Sequence, residues 1–306
     1  MAMENILEQA IAGVESVLLG KNKAIRLAFA CLLARGHLLI EDLPGMGKTT
    51  LAHALATVLG LEYKRVQFTN DLLPSDVLGV SIFDRQSGEF HFQQGPVFTQ
   101  VLLADEINRA TPKTQSALLE AMAEGQVSVE GRTLQLPKPF FVIATQNPSS
   151  QAGTYLLPES QLDRFLMRIS LGYPDAKSER RLLQGEDIAA HLQELHAILP
   201  PEKLAALQGH LKTIHTSDAL LDYVQRLVEF SRTDSAFSCG LSPRGALALL
   251  SAARAWALIV GRSHVVPEDI QRVLPAVTSH RLQAAGNHQR DGYALADYLL
   301  NSVPVL

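Results

Sequence analysis

Cysteine is nearly absent: Cys31 and Cys239 are the two among 306 residues. Two thiols set among apolar or small residues supply neither a disulfide frame nor a metal cluster, and they predict buried thiols in a reducing compartment. Nothing near either one would depress its pKa, so neither reads as a nucleophile. No apolar run approaches the roughly 18 residues of a membrane span. The opening Met1-Ala2-Met3-Glu4-Asn5 lacks the basic segment of a signal peptide. These absences together predict a cytoplasmic protein. Cationic excess is missing too: 27 Lys and Arg stand against 31 Asp and Glu, a net charge of −4, which makes a nucleic-acid partner a poor expectation. No internal repeat, low-complexity tract or charge run is present. What is present excludes disorder, because 47% of residues are hydrophobic and 19% charged. The length suits about two domains with a sizeable core.

The most informative stretch is Glu41-Asp42-Leu43-Pro44-Gly45-Met46-Gly47-Lys48-Thr49-Thr50. An apolar run, His37 to Ile40, precedes it as a buried strand. A helical pattern, Leu51 to Leu59, follows it. Strand, glycine loop, Gly-Lys-Thr and helix together are what a phosphate-binding loop requires. Gly45 and Gly47 let successive N–H groups turn inward, and the helix N-terminus adds partial positive charge. Pro44, Gly45, Met46, Gly47, Lys48, Thr49 and Thr50 are therefore the expected nucleotide-binding residues, with Lys48 on the β- and γ-phosphates and the Thr49 hydroxyl on Mg²⁺. Asp42 stands where the general pattern has its first glycine.

Helical spacing is expected over 4–18 and again through about Leu33, separated by a turn at Gly20. Gly20 is either plain turn or one wall of an adenine pocket. Tyr63 to Phe68 reads as a strand, followed by a polar, proline-marked loop from Thr69 to Asp76. Alternation and turn residues predict one β-hairpin near 80–92 and a second near 126–136. His91, isolated on the first, is a strand position. Gln100 to Asp105-Glu106 reads as a buried parallel strand with two carboxylates at its C-terminal edge, where ligands bind in open α/β sheets. Asp105 would hold Mg²⁺ and Glu106 would activate water. Thr111, Pro112 and Gly125 bracket a helix.

Phe140 to Asn147 is a third buried strand. Asn147 either reaches the γ-phosphate with its amide or starts a turn with Pro148. Arg164, just before a fourth buried run from Leu166 to Leu171, is either a guanidinium aimed at a phosphate across a subunit boundary or half of a surface pair with Asp163. Beyond Tyr173 no strand runs are expected. Helices are predicted near 175–184, 201–214, 217–232, 243–260, 267–278 and 287–306, which puts a domain boundary at 173/174. Arg244 lies in a first helical turn, where a cation opposes the helix dipole, so it reads as a nucleotide sensor.

The ordered set Gly47-Lys48-Thr49, Asp105-Glu106, Asn147, Arg164 and Arg244 resembles the AAA+ ATPases. Phe68 to Asp76, Gln94-Gly95-Pro96-Val97-Phe98, Asp105 to Ala110, Ala144 to Pro148 and Leu157 to Phe165 narrow the resemblance to the MoxR family over nearly the whole chain. It implies an α/β fold: a parallel-sheet αβα core at 1–173 carrying the hairpins, and an all-helical lid at 174–306. It implies ATP and Mg²⁺ as cofactors and hydrolysis in a hexameric ring. Arg164 would act in trans, and Asn147 and Arg244 would sense the γ-phosphate in cis. Arg109 is a lesser candidate to face the neighbouring subunit. The partners implied are a von Willebrand factor A domain protein and a protein client that is matured or loaded with metal or cofactor. A DNA- or RNA-associated motor, a magnesium-chelatase-like subunit and a nucleotide-gated scaffold that does not cycle are the alternatives.

Overall fold

The computed structural model describes residues 2–129, 131–147, 153–185, 187–286 and 291–305. Two helices open it, α1 (Ala2–Val17) and α2 (Asn22–Leu33), with the turn at Gly20 between them. The core then runs β1 (Leu38–Glu41), α3 (Lys48–Val58), β2 (Tyr63–Gln67), α4 (Pro74–Leu78), the hairpin β3 (Gly79–Asp84) and β4 (Glu89–Gln94), and β5 (Val101–Asp105). After these come α5 (Pro112–Glu124), the hairpin β6 (Gln126–Val129) and β7 (Arg132–Gln135), β8 (Phe141–Gln146), α6 (Glu159–Leu162) and β9 (Met167–Ile169).

Five of these strands form one parallel sheet in the order β2-β5-β8-β1-β9. Every residue of β5 is buried, as a strand covered on both faces must be. Alternation sorts the side chains: Leu38, Ile40, Leu103 and Ile143 join the cluster under α1, α2 and α3, whereas Leu39, Leu102, Ala104, Val142 and Ala144 face α5 and the hairpins. All five strands run the same way, so their C-terminal ends make one edge. The phosphate loop, Asp105-Glu106 and Asn147 all leave from it.

The C-terminal part is the expected helical lid. It holds α7 (Ala176–Leu183), α8 (Ile188–Glu194), α9 (Pro201–His210), α10 (Asp218–Thr233), α11 (Pro243–Ile259), α12 (Pro267–Thr278) and α13 (Gly292–Ser302). Ser242 caps α11 by accepting the Gly245 N–H at 3.0 Å. Gly125 ends α5 in the left-handed region. Thr111 sits at the N-cap of α5, but its hydroxyl meets that of Thr114 and caps no backbone N–H.

Three local expectations are corrected. The stretch expected as loop through Asp76 contains the start of α4: Pro74 takes its first turn, and the Asp76 carboxylate accepts the Leu73 N–H at 2.8 Å. The lid has strands after all, β10 (Phe237–Cys239) paired antiparallel with β11 (Gln283–Ala284). Segments of two or three residues are too short to show an alternation, and their partner is distant in sequence. Cys239 on β10 is exposed, while Cys31 is buried and burial pushes its thiol pKa up. Among the described residues no helix is long and apolar enough to cross a membrane.

Candidate functional site

The site grows from the end of β1. Gly45 and Gly47 have φ of 82° and 92°, a region open to glycine at little cost. Gly47 is the N-cap of α3, no side chain caps that helix, and its first turn carries no acid. Its leading N–H groups and dipole are therefore directed at the loop with nothing anionic supplied by the helix itself. A Cβ on Gly45 would meet nothing within 4 Å, whereas one on Gly47 would lie 2.6 Å from Leu18 Cδ1. The segment before Gly20 thus abuts the phosphate loop. Gly20 itself helps line a cavity of about 260 Å³, with Lys21, Arg168, Leu171, Arg272 and Tyr293 among the other walls. Pro44, Gly45 and Thr49 are exposed, and Met46 and Thr50 partly so.

Lys48 is buried and donates to the Asp42 carbonyl at 2.8 Å and to Asn147 Oδ1 at 3.1 Å. Burial lowers its pKa from the ordinary lysine value, opposed by the charges of Asp105, Asp42 and Glu106. Asn147 in turn donates from Nδ2 to Glu106 Oε1 at 3.0 Å. One amide therefore joins the ammonium to the carboxylate, through its acceptor on one side and its donor on the other. Asn147 does not merely begin a turn; Pro148 lies outside the described residues. Arg109 forms a 3.2 Å ion pair with the other oxygen of Glu106, within the same chain.

Glu106 has φ 55° and ψ 48°, a left-handed conformation uncommon for a residue with a side chain. Its backbone N–H is held by Thr145 Oγ1 at 2.8 Å, and the same hydroxyl donates to Asp105 Oδ1 at 2.5 Å. Arg65 grips Asp105 Oδ2 at 2.7 Å. Replacing the fully buried Thr145 by valine removes both bonds and leaves the acid edge under-satisfied. The expected loss is about 2 kcal/mol of unfolding free energy, measured by urea denaturation.

Asp42 has a second tie. Its carboxylate accepts from Leu171 N (2.6 Å), Gly172 N (2.7 Å) and Ser170 Oγ (2.9 Å), and from its neighbour Leu43 N (2.9 Å). Burial opposes the ionised form, but these donors outweigh it and hold the carboxyl below its usual pKa.

Arg164 and Arg244 lie elsewhere. Arg164 precedes β9, and β9 pairs in parallel with β1 so that Met167 is opposite Leu38. That places Arg164 at the entry edge of the sheet, where its guanidinium donates to the Leu119 carbonyl at 2.7 Å. Arg244 shares a cleft there with Arg164, Gly36, His37 and Arg281. The strand between that edge and the phosphate loop spans roughly 13 Å. The cis role expected for Arg244 is therefore corrected: within its own chain it sits at the wrong end of β1 for the phosphates. The bland expectation for Arg164 fails as well. Asp163 pairs with the buried Arg281 (2.7 Å) and lies 3.9 Å from Arg244.

Sequence reasoning missed Thr145, Arg65, Arg168 and Arg281. A signal existed for Thr145: it lies two positions before Asn147, so alternation puts both on one face. Arg65 and Arg281 act across distant elements and left none.

The family model of the ATPases associated with various cellular activities (AAA) matches residues 37–167, and that of the AAA lid domain matches 229–297. YeaC, an uncharacterised protein of Bacillus subtilis, is 45% identical over 90% of this chain and 87% of its own. Chaperone MoxR1 of Mycobacterium tuberculosis is 41% identical over 90% of this chain and 75% of its own. A crystal structure from Cytophaga hutchinsonii, provisionally described as an ATPase, superposes with a TM-score of 0.88 at 33% identity, covering 99% of this chain and 96% of the other. With a phosphate loop, an acid pair and a bridging amide on one sheet edge, and with these relatives, the chain belongs to the MoxR family of AAA+ ATPases.

Proposed function

We propose that this ATPase is Mg²⁺-dependent and works as a chaperone-like remodeller of a protein client, in a hexameric ring and with a von Willebrand factor A domain partner. The reading divides the chain into a core at 1–173 and a lid at 174–306. The observation that carries it is the chain of contacts Lys48–Asn147–Glu106 beside Asp105. An ammonium, a neutral amide and two carboxylates are what phosphoryl transfer to water needs around a triphosphate.

In this reading the backbone from Pro44 to Thr50 cradles the phosphates, Gly20 walls the nucleoside, and Lys48 stabilises charge that develops on the transferred group. Thr49 and Asp105 would hold Mg²⁺, which would supply positive charge against the phosphates. The residues fit such an ion, because Thr49 is exposed in the first turn of α3 and Asp105 ends β5 on the same C-terminal edge of the sheet. Glu106 orients and deprotonates the water, and Asn147 reports on the γ-phosphate. Arg164 and Arg244, displaced to the opposite edge, act on the next subunit's nucleotide. The chaperone role rests on the likeness to chaperone MoxR1 of Mycobacterium tuberculosis, and the partner on the resemblance to the MoxR family alone.

Calorimetry tests the core of this. Wild-type protein is expected to bind ATP, and Lys48→Ala to lose at least about tenfold in affinity, the effect of removing one charged hydrogen-bonding group. EDTA is expected to abolish phosphate release by the wild type. ATP binding that is indifferent to Lys48, or turnover that survives EDTA, rejects the reading.

A further inference from the structure

Asp42 occupies the place of a glycine in the general phosphate-loop pattern, and its side chain turns toward the end of β9. Its carboxylate gathers Ser170, Leu171 and Gly172, the three residues by which the chain leaves β9 for the lid. Gly172 turns there with φ 62°. Both polar groups of that glycine are engaged, since its carbonyl accepts from the ammonium of buried Lys21. Lys21 follows Gly20 on the wall of the cavity beside the loop. The backbone carbonyl of Asp42, meanwhile, holds Lys48.

Glu41 repeats the arrangement one residue earlier. It pairs with Arg168 at 2.9 Å, and Arg168 donates to the Ser279 carbonyl just after α12 and lies over the Tyr293 ring of α13 at 5.0 Å. Two acids at the mouth of the phosphate loop thus hold the exit of the core and two lid helices. Lys48 and Gly172 are thus bound to one residue, the first through its backbone carbonyl and the second through its carboxylate.

We propose that Asp42, assisted by Glu41, is a positioning residue that couples occupancy of the phosphate loop to the placement of the lid. The inference rests on the ATPase reading above and deepens it. Asp42 touches no substrate; it acts through Lys48 on one side and the Ser170–Gly172 segment on the other. A glycine at this position would complete the general loop pattern and abolish the coupling.

The test compares wild type with Asp42→Asn, Asp42→Gly and Ser170→Ala. The measurements are ATP affinity by calorimetry, kcat and KM by phosphate release, and amide exchange at Leu171 and Gly172 with and without ATP. For Asp42→Asn and Asp42→Gly, ATP affinity is expected within about threefold of wild type and kcat to fall about tenfold or more, within the range that misplacement from a site remote from the chemistry can cost. The nucleotide-linked change in exchange at Leu171 and Gly172 should vanish. Ser170→Ala, which loses a single hydroxyl, should show a smaller fall in kcat with affinity kept, and it serves if the Asp42 variants do not fold. Variants with wild-type kcat and an intact exchange response overturn the proposal. So do variants in which affinity and turnover fall together, because Asp42 would then serve the loop alone. Failure of the wild type itself to bind ATP would instead reject the ATPase reading, and this inference with it.

Discussion

Glu106→Gln is expected to slow phosphate release about 10²–10⁴-fold, the usual worth of a positioned general base, while leaving ATP binding in place. The glutamine matches glutamate in shape and keeps an oxygen to accept from Asn147 Nδ2, which reaches Glu106 Oε1 at 3.0 Å. The left-handed backbone at 106 is held through Thr145 and not through the side chain, so the loop has no reason to relax. What disappears is the carboxylate proposed to take the proton of water. The Arg109 ion pair at 3.2 Å disappears with it, but that pair is half exposed and contributes little. Single-turnover phosphate release and calorimetry on the same preparation check the separation. Equal turnover by variant and wild type removes Glu106 from the role of base.

Much of this site was legible because it is local. The loop from Glu41 to Thr50 carries its strand, its glycines and its helix within one stretch of chain, and Asp105-Glu106 and Asn147 each end an apolar run. A parallel sheet then does the assembling: once β1, β5 and β8 point the same way, whatever follows each of them meets at one edge. The hairpins were legible for a similar reason, since β3 with β4 and β6 with β7 pair across short turns.

The contacts that tie the site together were not legible, because they depend on register between strands far apart in sequence. Arg65 reaches Asp105 only because β2 lies next to β5 with Gln67 opposite Asp105. Arg281 reaches Asp163 only because the turn after α12 lies beside the start of β9. Asp42 departs from a glycine pattern in the sequence; its hydrogen bonds show only when Leu171 and Gly172 are brought to its carboxylate. Arg244 illustrates the opposite error. Its place in a first helical turn suggested a phosphate, and the local argument was sound, yet the lid delivers that helix end to the entry edge of the sheet.

Removing the Arg164 guanidinium is expected to cost about 10³–10⁵-fold in hydrolysis, the range for an arginine that completes a neighbour's site, without weakening each subunit's own grip on ATP. Arg164 and Arg244 share one cleft around Asp163 and lie away from their own phosphate loop. A trans role has a consequence that a cis role lacks. Arg164→Ala keeps an intact Glu106 but offers its neighbour no guanidinium, whereas Glu106→Gln keeps the guanidinium but cannot activate water. Each is inactive alone. Mixed into one ring, they create boundaries where a good Glu106 faces a good Arg164, and hydrolysis returns to a measurable fraction of wild type. The same mixture made with Arg244→Ala should recover as well, because the structure sets the two arginines side by side. If Arg244 served its own chain, no boundary in that second mixture would be complete and activity would stay at the level of the separate variants. Phosphate release across a titration of mixing ratios distinguishes the cases, with a maximum at intermediate ratios expected for both arginines. A flat response for both would place neither arginine at a neighbour's nucleotide.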